Sequence, residues 1–99
     1  MTTIAAERKL NAVQLDRLFW LRAAFDTAET QRDVARAMVR IEGYLLGLLD
    51  AQVISEQERE ALYQQAKAPE MEAAHRTADA ESRASKAAQI EVDAAERHN

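Results

Sequence analysis

The sequence predicts an all-α protein: an antiparallel helical hairpin or small bundle of three helices, followed by a long alanine-rich C-terminal helix. Three observations carry this expectation. Only two Gly and one Pro occur in 99 residues, while the abundant Ala, Leu, Glu, Gln and Arg lose least on entering a helix. Large apolar residues recur at steps of three and four, the period of one helix face. Ser, Thr or Asn followed three residues later by an acid or Gln marks several helix starts.

The first helix is expected to begin near Asn11, which stands three before Gln14 with Leu10 and Leu15 at staple positions. Leu15, Leu18, Leu21 and Phe25 then form a core stripe, and Val13, Trp20 and Ala24 fall on the opposite side with Arg17. Asp26 before Glu29 and Thr30 before Asp33 both have cap spacing, so a short connection leads to an antiparallel second helix. Val34, Met38, Ile41, Leu45 and Leu48 repeat at 4, 3, 4, 3 and make this helix the spine, with Ala37 and Leu49 widening the seam. It should end near Asp50 or Ala51, where the β-branched Val53 and Ile54 precede Ser55 and Glu58, a box that opens a third helix.

Leu62, Tyr63 and Ala66 give that helix a thin apolar face, and Pro69 ends or kinks it. A composition break follows. Beyond Pro69 the only large apolar residues are Met71, Ile90 and Val92, among many alanines. We therefore divide the chain into a helical core, residues 1–69, and an alanine-rich helix or extension, residues 70–99. Glu72 with Arg76, Asp79 with Arg83 and Asp93 with Arg97 stand four apart in the order that supports a helix.

Composition narrows function. The net charge is −4, from 17 acidic and 13 basic residues, which argues against a whole-chain nucleic-acid binder. There is no cysteine, so disulfides and thiolate chemistry are excluded. Charges occupy the N-terminal stretch where a signal peptide needs its apolar region, and no apolar run approaches the ~20 residues of a membrane span. A cytoplasmic protein is expected. No catalytic residue stands out, because Asp16, Asp26, Glu42 and Asp50 occupy ordinary surface or cap positions without a neighbouring His or nucleophile. His75 with Asp79, and His98 near the end, make a poor metal site. Neither a cofactor nor a metal is expected, and no polar group is marked out to orient a small molecule.

What remains is surface. Gly43 and Gly47 lie inside the spine helix, where each costs ~1 kcal/mol relative to Ala. They continue the row of Arg32, Arg36 and Arg40 on the back of the spine, flanked by Val39 and Leu46. The plainest occupant of that flat face is the chain's own tail, through Ala80, Ala84 and Ala87; a second copy and a foreign partner are the alternatives. The arginines are most simply a solvated row paired with Glu29 and Asp33, and otherwise meet an acidic protein surface or phosphates. No stacking aromatic accompanies these arginines, which lowers the case for single-stranded nucleic acid. Trp20 is either an interface anchor or covered by another helix of the chain.

Residues 44–65 resemble the short helical hairpins called SHOCT-type modules. Leu45, Leu48 and Leu49 lead into Asp50, Ala51 and Gln52, then Val53 and Ile54, then Ser55 with Glu56 and Glu58. Gln52 replaces the family's turn glycine and Arg59 its aromatic. The resemblance implies oligomerisation or attachment. The expected function is a non-enzymatic interaction module acting by stoichiometric binding, an adaptor or inhibitor of a larger complex, and homodimeric. A mobile-element anti-defence protein such as an anti-CRISPR is one concrete form. Its contact residues are Val13, Trp20, Val39, Gly43, Leu46 and Gly47, and the alternative is a nucleic-acid regulator using Arg32, Arg36 and Arg40.

Overall fold

The computed structural model describes residues 4–97, with side chains through residue 96. It is all-α: a 3-10 turn, Ala5–Lys9, precedes α1 (Ala12–Thr27), α2 (Gln31–Asp50), α3 (Glu56–Ala66) and α4 (Glu70–Arg97). Three of the four starts are full capping boxes. Asn11 accepts from the Gln14 backbone N–H at 2.8 Å while the Gln14 side chain accepts from the Asn11 N–H at 2.9 Å. Thr30 and Asp33, and Ser55 and Glu58, repeat this arrangement. Thr30, not Asp26, therefore sets the start of α2. The Asp33 carboxylate accepts from the N–H groups of Glu29 and Thr30, and those two bonds hold its pKa below the ordinary carboxylate value.

α2 is the spine, touching α1, α3 and α4. Val34, Ala37, Met38, Ile41, Leu45 and Leu48 are its buried face. Leu18, Leu21 and Phe25 meet it from α1, Leu62 and Ala66 from α3, with Leu10 and Ile54 closing the ends; Leu15 is half-buried at the edge. The composition break at Pro69 does not bound this core, since Ala73 and Thr77 of α4 are buried in it. The Thr77 hydroxyl donates within its own helix, to Ala73 and Ala74 carbonyls.

Two of the acid–base pairs expected along α4, Glu72 with Arg76 and Asp79 with Arg83, do not form. Arg76 reaches instead across to α1, where its Nη2 donates to the carbonyls of Phe25 at 2.6 Å and Ala28 at 3.3 Å. The last carbonyls of a helix have no intrahelical partner and carry the negative end of its dipole, so a guanidinium placed there satisfies them. Arg83 donates to the Asp79 backbone carbonyl rather than its carboxylate. The third pair involves the Arg97 side chain, outside the described residues. Beyond Glu81, which accepts from the Gln31 N–H, every residue through Glu96 is exposed. This arm projects from the loop end of the α1–α2 hairpin and stretches the molecule to 67 Å along its longest axis.

α2 ends in a Schellman turn: the Gln52 N–H bonds the Leu49 carbonyl and the Val53 N–H bonds the Leu48 carbonyl, both at 3.0 Å. Gln52 adopts φ 61°, the left-handed conformation in which a side chain costs about 1–2 kcal/mol. The turn geometry is kept although its usual glycine is absent. Gln52→Gly should raise unfolding stability by about 1 kcal/mol, read as a higher urea midpoint at unchanged m-value; an unchanged or lower midpoint would show that the Gln52 side chain contributes a contact of its own.

Candidate interaction face

The α1–α2 hairpin turns one side to solvent. About 100° of rotation per residue places Val13, Arg17, Trp20, Ala24 and Thr27 in one row along α1, and Arg36, Arg40, Gly43 and Gly47 in one row along α2. The Tyr44 hydroxyl donates to the Gln14 carbonyl at 3.4 Å and fixes the register of the two helices. Trp20 and Arg40 consequently line the same groove of about 260 Å³, floored by Leu21 and Ala24. Arg36 and Arg40 line its continuation beside Thr27 and Asp33. At the other end Val13, Asp16, Arg17 and Trp20 form a shallower depression.

Trp20 is not covered by another helix. It is 61% exposed, and the Arg17 guanidinium lies 5.3 Å from its ring centroid. Val13 is 77% exposed. Val39 and Leu46, at 66% and 48%, stand on the opposite flank of the glycine row, away from α1. The glycine row itself is open. A Cβ added at Gly43 or Gly47 would meet nothing within 4 Å, so the tail does not pack there as expected from its alanines. The reason is geometric: α4 crosses the hairpin at its loop end and leaves it, whereas the glycines lie toward the far end of α2.

The arginine row is also unlike the expectation. Asp33 is committed to its cap, Glu29 lies beyond ion-pair distance, and among the described residues Arg32, Arg36 and Arg40 form no ion pair. The ion pairs of the described residues belong to Arg59, which bridges Glu56 and Glu60 on α3. The hairpin face is thus basic and the α3 surface acidic. An aromatic ring does accompany the arginines, contributed by the neighbouring helix and invisible in their own sequence surroundings.

Sequence periodicity did not single out Phe19. It is 45% exposed and lines a second groove with Arg22, Asp26, Ala68 and Pro69, its ring 5.7 Å from the Arg22 guanidinium. Adjacent residues on a helix lie about 100° apart, so one outward stripe cannot hold both Phe19 and Trp20. Among the described residues, no group of three or more His, Asp or Glu side chains is placed to hold a metal ion, and no helix is long and apolar enough to cross a membrane. His98 lies outside the described residues. Neither protein-family models, curated proteins nor solved structures match the chain.

Because the glycine Cβ positions point into open space, Gly43→Ala and Gly47→Ala should each stabilise the monomer by about 1 kcal/mol at low protein concentration. A destabilised variant in denaturant titration would mean that the chain itself packs against the row.

Proposed function

We propose that this protein is a non-enzymatic interaction module that works by stoichiometric binding through the outer face of the α1–α2 hairpin, with a second copy of the chain as the first occupant. The observation that carries the reading is the open glycine row: two residues that weaken α2 have no contact among the described residues to offset them. Trp20 and the arginine row beside them supply an amphipathic anchor and unpaired charge, the features on which interface energy concentrates. As an adaptor or as an inhibitor of a larger complex, anti-defence proteins of mobile elements included, the module would present this same face to an acidic protein surface.

One observation favours a second reading. Trp20 shares a groove with Arg40, and a ring beside guanidinium groups also suits single-stranded nucleic acid. The net charge of −4 works against it. Binding of that kind weakens steeply with salt and is lost in Arg32, Arg36 and Arg40 to Glu variants.

Sedimentation equilibrium at micromolar concentration tests the leading reading. The unmodified protein should show twice its 11.1 kDa monomer mass. Trp20→Ala should weaken self-association by about 30-fold or more, as expected for loss of a hot-spot residue. A monomeric mass across the range, or a Trp20→Ala protein as dimeric as the parent, contradicts it.

A further inference from the structure

We infer that the second copy meets the hairpin face with its own α2, antiparallel and related by a two-fold axis beside Gly43, so that the two spine helices pack back to back. This rests on the proposed role of that face and adds which element occupies it and in what register. Three observations carry it. First, α2 has a second seam. At about 100° per residue, Arg36, Gly43 and Asp50 stand seven apart along one line, opposite the buried Ile41 and Leu45. Val39 and Leu46 flank that line on the side away from α1, and Arg40 and Gly47 on the side toward it. Every one of these positions is exposed, and Val39 and Leu46 are among the few large apolar side chains that the fold leaves in solvent. Arg36, Val39, Gly43, Leu46 and Asp50 repeat at 3, 4, 3, 4, the spacing with which one helix meets another along its length.

Second, the charge of α2 is divided along its length. Apart from Asp33, which is committed to its cap, every base of the helix lies at or before Arg40 and every acid at or after Glu42. Such a helix repels a parallel copy of itself and attracts an antiparallel one. Among the described residues neither Arg36 nor Asp50 has an ion-pair partner.

Third, one two-fold axis satisfies the whole face. With the axis beside Gly43, Arg36 of each chain comes against Asp50 of the other, and Val39 against Leu46, each contact occurring twice by symmetry. At the axis the missing side chain of Gly43 lets the backbones approach closely. On the α1 flank, Trp20 and Arg40 come opposite Gly47 of the other chain, an open position on which the ring can lie. No like charges of the two seams are opposed. Both chains use the same patch, so the assembly closes at two. α3 and α4 pack on the buried side of α2, and each α4 arm leaves at its own loop end, so the two arms point away from each other and leave the contact clear.

Charge reversal in the full-length protein tests the register, with the dimer dissociation constant from sedimentation equilibrium as the readout. Arg36→Glu and Asp50→Arg, each alone, should weaken self-association by at least about tenfold, since each creates two like-charge contacts per dimer. The R36E/D50R double variant should recover most of the parent's affinity. Its two changed residues stand about 21 Å apart on one helix, too far to pair within a chain, so recovery reports a contact between chains. The chain has no cysteine, so a mixture of Val39→Cys and Leu46→Cys proteins should form a disulfide-linked heterodimer under mild oxidation. If the parent dimerises and Trp20→Ala weakens it, but the single reversals leave it as tight or the double variant stays as weak as they are, the α2 register is wrong and the hairpin reading stands. Failure of the cysteine mixture to link in a dimerising protein likewise overturns the register. A monomeric parent overturns both.

Discussion

The structure depends on a division of labour forced on α2. One helix packs against three neighbours, and it does so with a single stripe of Val34, Met38, Ile41, Leu45 and Leu48. A helix presents only about a third of its circumference to a core. With that third spent on α1, α3 and the first half of α4, none of the described residues covers the glycine row at the rear. The bare row of Arg32, Arg36, Arg40, Gly43 and Gly47 is the direct consequence of making α2 the spine. Ordinary surface helices fill such a rear with Glu, Lys or Ala; two glycines there lower helix stability, and no contact among the described residues offsets them.

The start of α4 completes the core by a different means. It brings small residues, Ala73 and Thr77, which let it lie close, and one long cation. Arg76 reaches over the end of α1 and satisfies carbonyls of Phe25 and Ala28 that the helix cannot satisfy itself. Together with Glu81, which accepts from the Gln31 N–H, it ties the otherwise apolar-poor segment to the loop end of the hairpin. The arm is therefore aimed away from its own glycine row and toward solvent.

Much of the fold was legible in the sequence because its signals are local. Cap pairs at a spacing of three set the starts of α1, α2 and α3, and the 3-4 repeat gave the buried faces of α1 and α2. The outward placement of Val13, Trp20, Val39 and Leu46 follows from the same period. What was not legible depends on pairs of residues far apart in the chain. Arg76 has a carboxylate at the favourable spacing but prefers carbonyls about fifty positions earlier. Trp20 stands beside Arg40 only because the hairpin register, held by Tyr44 on the Gln14 carbonyl, brings them together. Composition gave the tail alanines that suit a flat face but not the direction in which α4 departs, so the expected intrachain cover for Gly43 and Gly47 was wrong.

The central claim is that the Trp20 side of the hairpin becomes buried by assembly. Trp20 is the chain's one tryptophan and lies in solvent in the monomer, so its emission reports on that face alone. As protein concentration rises through the association range, the emission maximum should shift to the blue and acrylamide quenching should fall in step with the increase in mass. An emission maximum and a quenching constant that stay at their dilute values while the mass doubles would place the contact elsewhere and contradict the account.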